Sequence, residues 1–103
     1  DKKVLLIVWG EFGRTPRVNK TGGRDHWGSL MSILLSGGGL NVGQVIGTST
    51  KTGDVPSNRP VSPTDVLATM YRHLGIDTTQ HTVTNAGRPI PILPDGKPIH
   101  ELI

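Results

Sequence analysis

The first strong element of the chain is an apolar run, Val4-Leu5-Leu6-Ile7-Val8-Trp9. Gly10 ends this run. Continuous β-branched and aliphatic residues, without polar alternation, are typical of a strand that is covered on both faces in a parallel sheet. Such a strand also needs partners on both of its edges. We therefore expect an α/β fold with a mainly parallel sheet, in which these 103 residues are one segment of something larger.

A second apolar run covers residues 29–36 and stops at three glycines, residues 37–39. Its length fits a strand. The glycines fit a turn that ends the strand rather than a phosphate-binding loop, because neither Lys-Ser nor Lys-Thr follows them. Further along, residues 44–46 predict a short hairpin arm and residues 50–59 predict an exposed loop.

The third strong element is a helix that starts in residues 62–65, Ser-Pro-Thr-Asp. This string supplies a capping hydroxyl, a proline in the first turn and an acid at the third position. Gly75 occupies the position of a C-cap glycine. The apolar residues at helical spacing are Val66, Leu67, Met70, Tyr71 and Leu74.

The composition is rich in loop-forming residues, with 14 Gly and 8 Pro, and only 34% of the residues are hydrophobic. A chain this short can then bury only a thin core. After Ile76 the chain becomes polar and proline-rich. We therefore expect residues 1–103 to form a single partial domain, the C-terminal fragment of a larger one, with residues 78–103 as an irregular tail.

The composition also excludes several classes of function. The chain has no cysteine, which rules out disulfides, thiolate metal ligands and cysteine nucleophiles. Its longest apolar run is far shorter than the roughly 20 residues that span a bilayer, so we expect no membrane span. The net charge is +3, but the Lys and Arg residues neither cluster on a helix nor alternate with aromatic residues. We therefore expect no nucleic-acid binding.

The candidate functional residues lie in a polar, glycine-rich loop between the two predicted strands, residues 10–28. Glu11 follows the first strand, where α/β sheets place catalytic and metal-binding groups. Asp25 and His26 add a carboxylate and an imidazole, which suit a divalent ion such as Zn²⁺, Mn²⁺ or Mg²⁺. The alternative is a structural loop, in which Glu11 pairs with Arg14, Asp25 accepts a backbone hydrogen bond, and His26 packs beside the tryptophan that follows it.

Two strings in this loop are distinctive: Gly-Glu-Phe-Gly-Arg-Thr-Pro at residues 10–16 and Gly-Gly-Arg-Asp-His-Trp at residues 22–27. Together with the glycine turn, Arg-Pro-Val at residues 59–61 and the helix, they resemble the C-terminal part of a sulfatase-like family, domain of unknown function 1501, in the alkaline phosphatase superfamily. The resemblance extends over nearly the whole chain. It implies the C-terminal portion of an alkaline phosphatase-like α/β sandwich, with a mainly parallel sheet and a metal site at the carboxyl ends of the strands.

The resemblance implies metal-binding roles for Glu11, Asp25 and His26. Glu11 and Phe12 stand where the superfamily has an Asp-His pair of metal ligands, and His26 resembles a later histidine ligand. Phe12 is a departure, because phenylalanine cannot bind a metal. One ion of the usual pair is then absent, weakly held or bound by Asp25 instead. The ion would be Zn²⁺, Mn²⁺, Mg²⁺ or Ca²⁺.

The resemblance also implies an anionic ester substrate. Arg14 and Arg24 would bind the anion of a phosphate or sulfate ester, unless they only pair with Glu11 and Asp25. The superfamily's nucleophile and its first metal-binding aspartate have no counterpart in these residues. We therefore expect the chain by itself to be inactive and to need the missing N-terminal part of the same domain.

Exposed strand edges predict that the fragment self-associates. Relatives of this kind commonly carry a twin-arginine leader, which implies an exported bacterial protein of the periplasm or cell envelope.

Three functions follow from these observations. The first is part of a metal-dependent phosphatase or sulfatase-like hydrolase. The second is a cell-envelope binding or structural protein that has kept a hydrolase scaffold and lost catalysis, which Phe12 favours. The third is a small, self-contained basic binding module, and the strand that begins at Lys3 argues against it.

Overall fold

The computed structural model describes residues 2–103. In these residues the strands pair two by two, and one helix, α1 (Pro63–His73), lies between the sixth and seventh strands in chain order. The antiparallel pairs are β1 (Leu5–Val8) with β4 (Leu34–Gly37), β2 (Gly13–Arg14) with β3 (His26–Trp27), β5 (Thr48–Ser49) with β6 (Pro56–Asn58), and β7 (His81–Val83) with β8 (Pro89–Pro91).

The strand predicted from the first apolar run is confirmed as β1, but the expected parallel sheet is wrong. β1 and β4 run antiparallel, with Leu5 opposite Gly37. A parallel pair needs a long crossover connection, usually a helix, whereas residues 9–33 return the chain through short strands and turns. None of the described strand pairs is parallel. The chain is therefore not the alkaline phosphatase-like α/β sandwich that the resemblance implied.

The expected burial of both faces of β1 is also wrong. Leu5 and Ile7 are half-buried, whereas Leu6 and Val8 are 54% and 57% exposed. The half-buried face continues onto Leu35 of β4, which packs against the hydrophobic core. One covered and one solvated face is common in antiparallel sheets. In this sheet the solvated face is apolar.

The glycine turn at the end of β4 is confirmed. Gly37, Gly38 and Gly39 have φ angles of 76°, 63° and 73°. This left-handed region is open to glycine and costly for other residues, so three successive glycines allow the chain to turn sharply out of the sheet.

The region between β4 and α1 differs from the prediction. Residues 44–46 are not a strand, and part of the expected loop at residues 50–59 is the strand β6, which pairs with β5 just before that loop. The turn of this pair is held by Asp54, whose Oδ1 accepts hydrogen bonds from the hydroxyls of Thr50 and Thr52. The bond from Thr50, followed by that from Thr52, lowers the pKa of Asp54. This local polar network was not recognisable from hydrophobic periodicity.

Both ends of α1 are confirmed. Ser62 Oγ accepts a hydrogen bond from the Asp65 backbone N–H (3.2 Å), and Asp65 Oδ2 accepts one from the Ser62 N–H (3.0 Å), which is a capping box. The Ser62 N–H and then the Lys97 N–H lower the pKa of Asp65. At the other end Gly75, with φ 72°, donates its N–H to the Arg72 carbonyl (3.1 Å).

The core lies between α1 and the end of the chain. Thr69, only 1% exposed, joins the two, because its Oγ1 donates to the Asp65 carbonyl (2.8 Å) and accepts from the Ile99 N–H (2.9 Å). The hydroxyl thereby pairs a backbone N–H that burial would otherwise leave without a partner. The buried side chains are Val66, Ala68, Thr69, Ile99 and Leu102.

The apolar stripe predicted for α1 is only partly right. Val66 is buried, but Leu74 is 59% exposed, and Ala68 and Thr69 face inward instead. The inward face of α1 is set by the segment that packs against it. The end of the chain, rather than a second helix, packs on α1, and small side chains at Ala68 and Thr69 allow it to approach closely.

The described chain is open in shape. Its radius of gyration is 16.6 Å, whereas a compact chain of this length has about 13 Å. Residues 78–103 contain the pair β7 with β8 and then supply Ile99 and Leu102 to the core. No helix in residues 2–103 has the length and apolarity to cross a bilayer.

Candidate functional site

The two distinctive strings form a single hairpin, residues 10–28, which we call the motif hairpin. β2 and β3 pair so that Arg14 lies opposite His26. Two hydrogen bonds extend the pairing by one step, from the Thr15 N–H to the Asp25 carbonyl (3.0 Å) and from the Asp25 N–H to Thr15 Oγ1 (3.2 Å). Residues about ten positions apart in the sequence are thereby side by side.

The motif hairpin is attached to the rest of the molecule at Gly13 and Trp27. A Cβ on Gly13 would lie 1.9 Å from the Leu30 carbonyl oxygen, so only glycine allows this approach. The Trp27 indole Nε1 donates a hydrogen bond to the Asp54 carbonyl (2.6 Å). The hairpin is therefore anchored on the β5–β6 turn.

Phe12, Arg14 and His26 form an aromatic and cationic cluster on the motif hairpin. The rings of Phe12 and His26 lie 3.9 Å apart between centroids, tilted by 30°. Arg14 Cζ lies over the Phe12 ring at 5.6 Å from its centroid, within range of a cation–π interaction. His26 thus packs against Phe12. The structural-loop alternative placed its ring beside Trp27 instead. Phe12 supplies no ligand atom for a metal. Its ring instead contacts His26 and Arg14, two side chains that can donate hydrogen bonds to an anion.

The two arginines use their side chains differently. Arg24 Nη1 donates to the carbonyls of Thr15 (2.8 Å) and Pro16 (2.6 Å), and so ties the two arms of the hairpin together. Arg14 Nη1 donates only to the Arg24 carbonyl (3.1 Å). Within residues 2–103 neither guanidinium pairs with a carboxylate, so the ion pairs of Arg14 with Glu11 and of Arg24 with Asp25 are not formed.

The tip of the motif hairpin is organised by Asn19, a residue that hydrophobic and motif patterns did not single out. Its Oδ1 accepts hydrogen bonds from the Thr21 N–H, the Thr21 hydroxyl and the Gly23 N–H. Its Nδ2 donates to Asp25 Oδ1 (3.1 Å). The signal for it was the string Asn-Lys-Thr-Gly-Gly, since Asn side chains commonly close turns onto the backbone that follows them.

Glu11 lines an open groove of about 670 Å³ beside the hairpin. Its walls are mainly apolar, and Phe12, Met31 and Ile99 are among the side chains that form them. The groove therefore joins the motif hairpin to the core. Arg59 also lines it.

Arg59, the first residue of the Arg-Pro-Val string, is a second residue to which the sequence patterns gave no role of its own. Its Nε and Nη2 donate to the two carboxylate oxygens of Glu101 (2.5 and 2.9 Å), 42 positions away. The hydrogen bond with Arg59 lowers the pKa of Glu101 to about 2, and the same bond raises the pKa of Arg59. Arg59 has a φ angle of 50°, a conformation that is rare for a residue with a side chain.

The donor atoms for a metal ion are present but do not form a complete set. Carboxylates and imidazole are suitable ligands for the divalent ions named above. However, Asp25 and His26 are neighbours in an extended segment, where successive side chains point to opposite faces. No group of three or more His, Asp or Glu side chains within residues 2–103 lies close enough together to hold a metal. Any ion at Glu11, Asp25 or His26 would need ligands from elsewhere.

The fold and the site define a class: antiparallel strand pairs and one capped helix, with a hairpin that presents guanidinium, imidazole and carboxylate groups. The chain belongs to the family described as protein of unknown function (DUF1501), whose family model matches residues 2–103. The identification based on the two strings is confirmed at this level. No curated protein and no solved structure matches the chain.

Proposed function

We propose that this chain is part of a metal-dependent hydrolase of phosphate or sulfate esters, and that the motif hairpin binds the ester. The proposal includes the placement of the family among the sulfatase-like hydrolases of the alkaline phosphatase superfamily. The observation that carries it is the pairing of Arg14 with His26. Folding joins the two most distinctive strings of the sequence into one polar surface, next to an open groove.

Arg14 is the principal group for the anion. One of its Nη atoms donates to a carbonyl, which leaves other guanidinium N–H groups for an ester oxygen, since a guanidinium has five donors. Its planar fork matches phosphate and sulfate oxygens in pairs. Arg24 supports this surface by fixing the two arms of the hairpin. Its guanidinium group also adds a positive charge to the surface.

Glu11, Asp25 and His26 are the residues that would hold a divalent ion. When bound, such an ion withdraws charge from the ester oxygens and so favours attack on phosphorus or sulfur. The residues of this chain orient that ester and supply part of the ligand set. A catalytic Zn²⁺ commonly has three protein ligands and an open position, and no three His, Asp or Glu side chains within residues 2–103 lie close enough together to hold an ion. The remaining ligands and the nucleophile would therefore come from outside the described residues.

The test is a calorimetric titration with Zn²⁺, Mn²⁺, Mg²⁺ and Ca²⁺, together with assays on an aryl phosphate and an aryl sulfate, using the protein at its full natural length. The double variant Asp25→Ala, His26→Ala should lose metal uptake and turnover. A matched control, Asp95→Ala with His81→Ala, removes the same residue types outside the hairpin and should retain both. Absence of metal uptake by the unmodified protein would overturn the proposal.

A second candidate function is a cell-envelope binding protein that uses the same surface without catalysis. The stacking of Phe12 on His26 at 3.9 Å favours it, because a side chain without ligand atoms occupies a position that the superfamily gives to a histidine. In the same experiment, uptake of metal without turnover of either ester would favour this function over the hydrolase.

A further inference from the structure

The open groove beside the motif hairpin has the size of a small-molecule site. Its volume is about 670 Å³, and pockets that bind small organic molecules commonly measure roughly 300–1,000 Å³. Phe12 lines the groove on the side of the hairpin, and the buried side chains of Val66, Ile99 and Leu102 line it on the side of the core. The groove is therefore continuous from the candidate anion site to the core.

The polar side chains that line the groove near α1 and the end of the chain already have partners within the protein. Gln44 Nε2 donates to the carbonyls of Asn41 and Glu101 (both 2.8 Å). Arg59 binds the Glu101 carboxylate, and Ser62 belongs to the capping box of α1. This part of the groove therefore offers a ligand mainly apolar contacts, which favour an apolar group over one that must give up hydrogen bonds to water.

The charges around the groove indicate how an ester would be oriented. Arg14 lies over the ring of Phe12, so an ester whose anion meets Arg14 can extend past this ring into the groove. Two charged side chains line the groove, Glu11 and Arg59. Arg59 is paired, whereas Glu11 has no ion pair within residues 2–103. A second negative charge on the ester would meet the Glu11 carboxylate and be repelled, so this arrangement favours an ester that is charged at one end and apolar at the other.

We propose that the groove binds the alcohol part of the ester, and that the substrates are phosphate or sulfate esters of apolar alcohols and phenols. This inference rests on the proposed function, because it names the substrate class of the same site. The apolar contact itself requires neither a metal ion nor turnover. Binding in the groove can therefore be measured separately from hydrolysis.

The first test uses ¹³C NMR of the methionine methyl groups in the protein at its full natural length. Met31 lines the groove and Met70 does not, so Met70 is an internal control, and Met31→Leu and Met70→Leu assign the two resonances. Naphthyl phosphate should shift the Met31 resonance and leave that of Met70 in place, whereas inorganic phosphate should shift neither. A Met31 resonance that naphthyl phosphate does not move would overturn the inference.

The second test compares the affinities of two esters. Naphthyl phosphate should bind about tenfold or more tightly than methyl phosphate, because affinity rises with the apolar area that leaves water. Val42→Glu places a charge at an exposed position of the groove and should remove most of this preference. Val83→Glu makes the same change at an exposed position of β7, outside the groove, and should keep it. Equal affinities of the unmodified protein for the two esters would overturn the inference.

Naphthol, which has the apolar group without the anion, separates this inference from the proposed function. It should shift the Met31 resonance equally in the unmodified protein and in Arg14→Gln, because its binding does not involve the guanidinium. If naphthol and naphthyl phosphate both shift Met31 but no ester is hydrolysed, the hydrolase proposal fails and the apolar site stands. If esters are hydrolysed while Met31 does not respond, the hydrolase stands and this inference fails.

Discussion

β1 and α1 show that hydrophobicity and burial are separate properties in this protein. β1 belongs to the longest apolar run of the chain, yet Leu6 and Val8 are more than half exposed. α1 has a mixed sequence, yet Val66 is 3% exposed and Thr69 is 1% exposed. The more hydrophobic element is thus the less buried one.

The difference lies in what covers each element. The inner face of α1 is covered by Ile99 and Leu102, which arrive from the end of the chain and are held there through Thr69. The outer face of β1 has no such layer within the described residues. A helix or sheet becomes stable when a second layer covers its apolar face, so the position of that second layer determines which apolar side chains are buried.

The largest effect is expected where the cover of α1 is removed. Ile99→Ala deletes a side chain that is 2% exposed, and we expect it to lower the free energy of unfolding by about 3 kcal/mol, as for other large-to-small core changes. Chemical denaturation followed by circular dichroism measures this. Val45→Ala, at a position that is 95% exposed, should leave the midpoint unchanged. Similar midpoints for the two variants would show that the end of the chain does not form the core.

A smaller effect is expected on the open face of β1. Leu6→Lys places a charge on the apolar surface that Leu6 shares with Val4, Val8 and Leu34. Because Leu6 is already exposed, folding should change little, while self-association of the 103-residue chain should weaken about tenfold if like charges meet in the associated form. Light scattering at several concentrations measures this, and Val45→Lys is the control with the same charge. A compact monomer at every concentration of the unmodified chain would refute self-association.

The smallest effect is expected at the ion pair that links the end of the chain to the groove. Arg59 lowers the pKa of Glu101 from 4.5 to about 2, so its contribution to stability is present above pH 4.5 and is lost as the pH falls toward 2. The stability of the Glu101→Gln variant should not fall in this way between pH 4.5 and about 2, and the same is expected of Arg59→Gln. The effect is small because both side chains are still partly accessible, at 34% and 25%, so solvent screens the pair. A constant difference in denaturation midpoint between Glu101→Gln and the unmodified protein from neutral pH to pH 2 would contradict it.

Local features of the fold were predictable from the sequence. Ser62 and Asp65 form the capping box expected of them, and Gly75 ends the helix, because these interactions join residues a few positions apart. The strand at residues 5–8 and its end near Gly10 were also predictable, since β-branched and aliphatic runs favour extended backbone.

The sequence predicted which residues belong to the candidate site, but it did not predict which of them contact each other. The strings around Arg14 and His26 identified the family, but the contact of His26 with Phe12 and the bond from Asn19 to Asp25 required the hairpin to close in one register. The pairing of Arg59 with Glu101 joins positions 42 residues apart, and no short pattern in the sequence predicts a partner at that distance.

The sequence by itself determined where α1 begins and ends, where the chain turns at the glycines, and which polar residues stand in the loop between the first two apolar runs. Each of these depends on backbone preferences and hydrogen bonds over a few residues. Only the tertiary structure decided that β1 pairs antiparallel with β4, that its Leu6 face stays open, and that Ile99 covers α1. Those outcomes depend on which distant segments meet, and the free energy of burying apolar surface is nearly non-directional, so the apolar pattern by itself could not choose among partners.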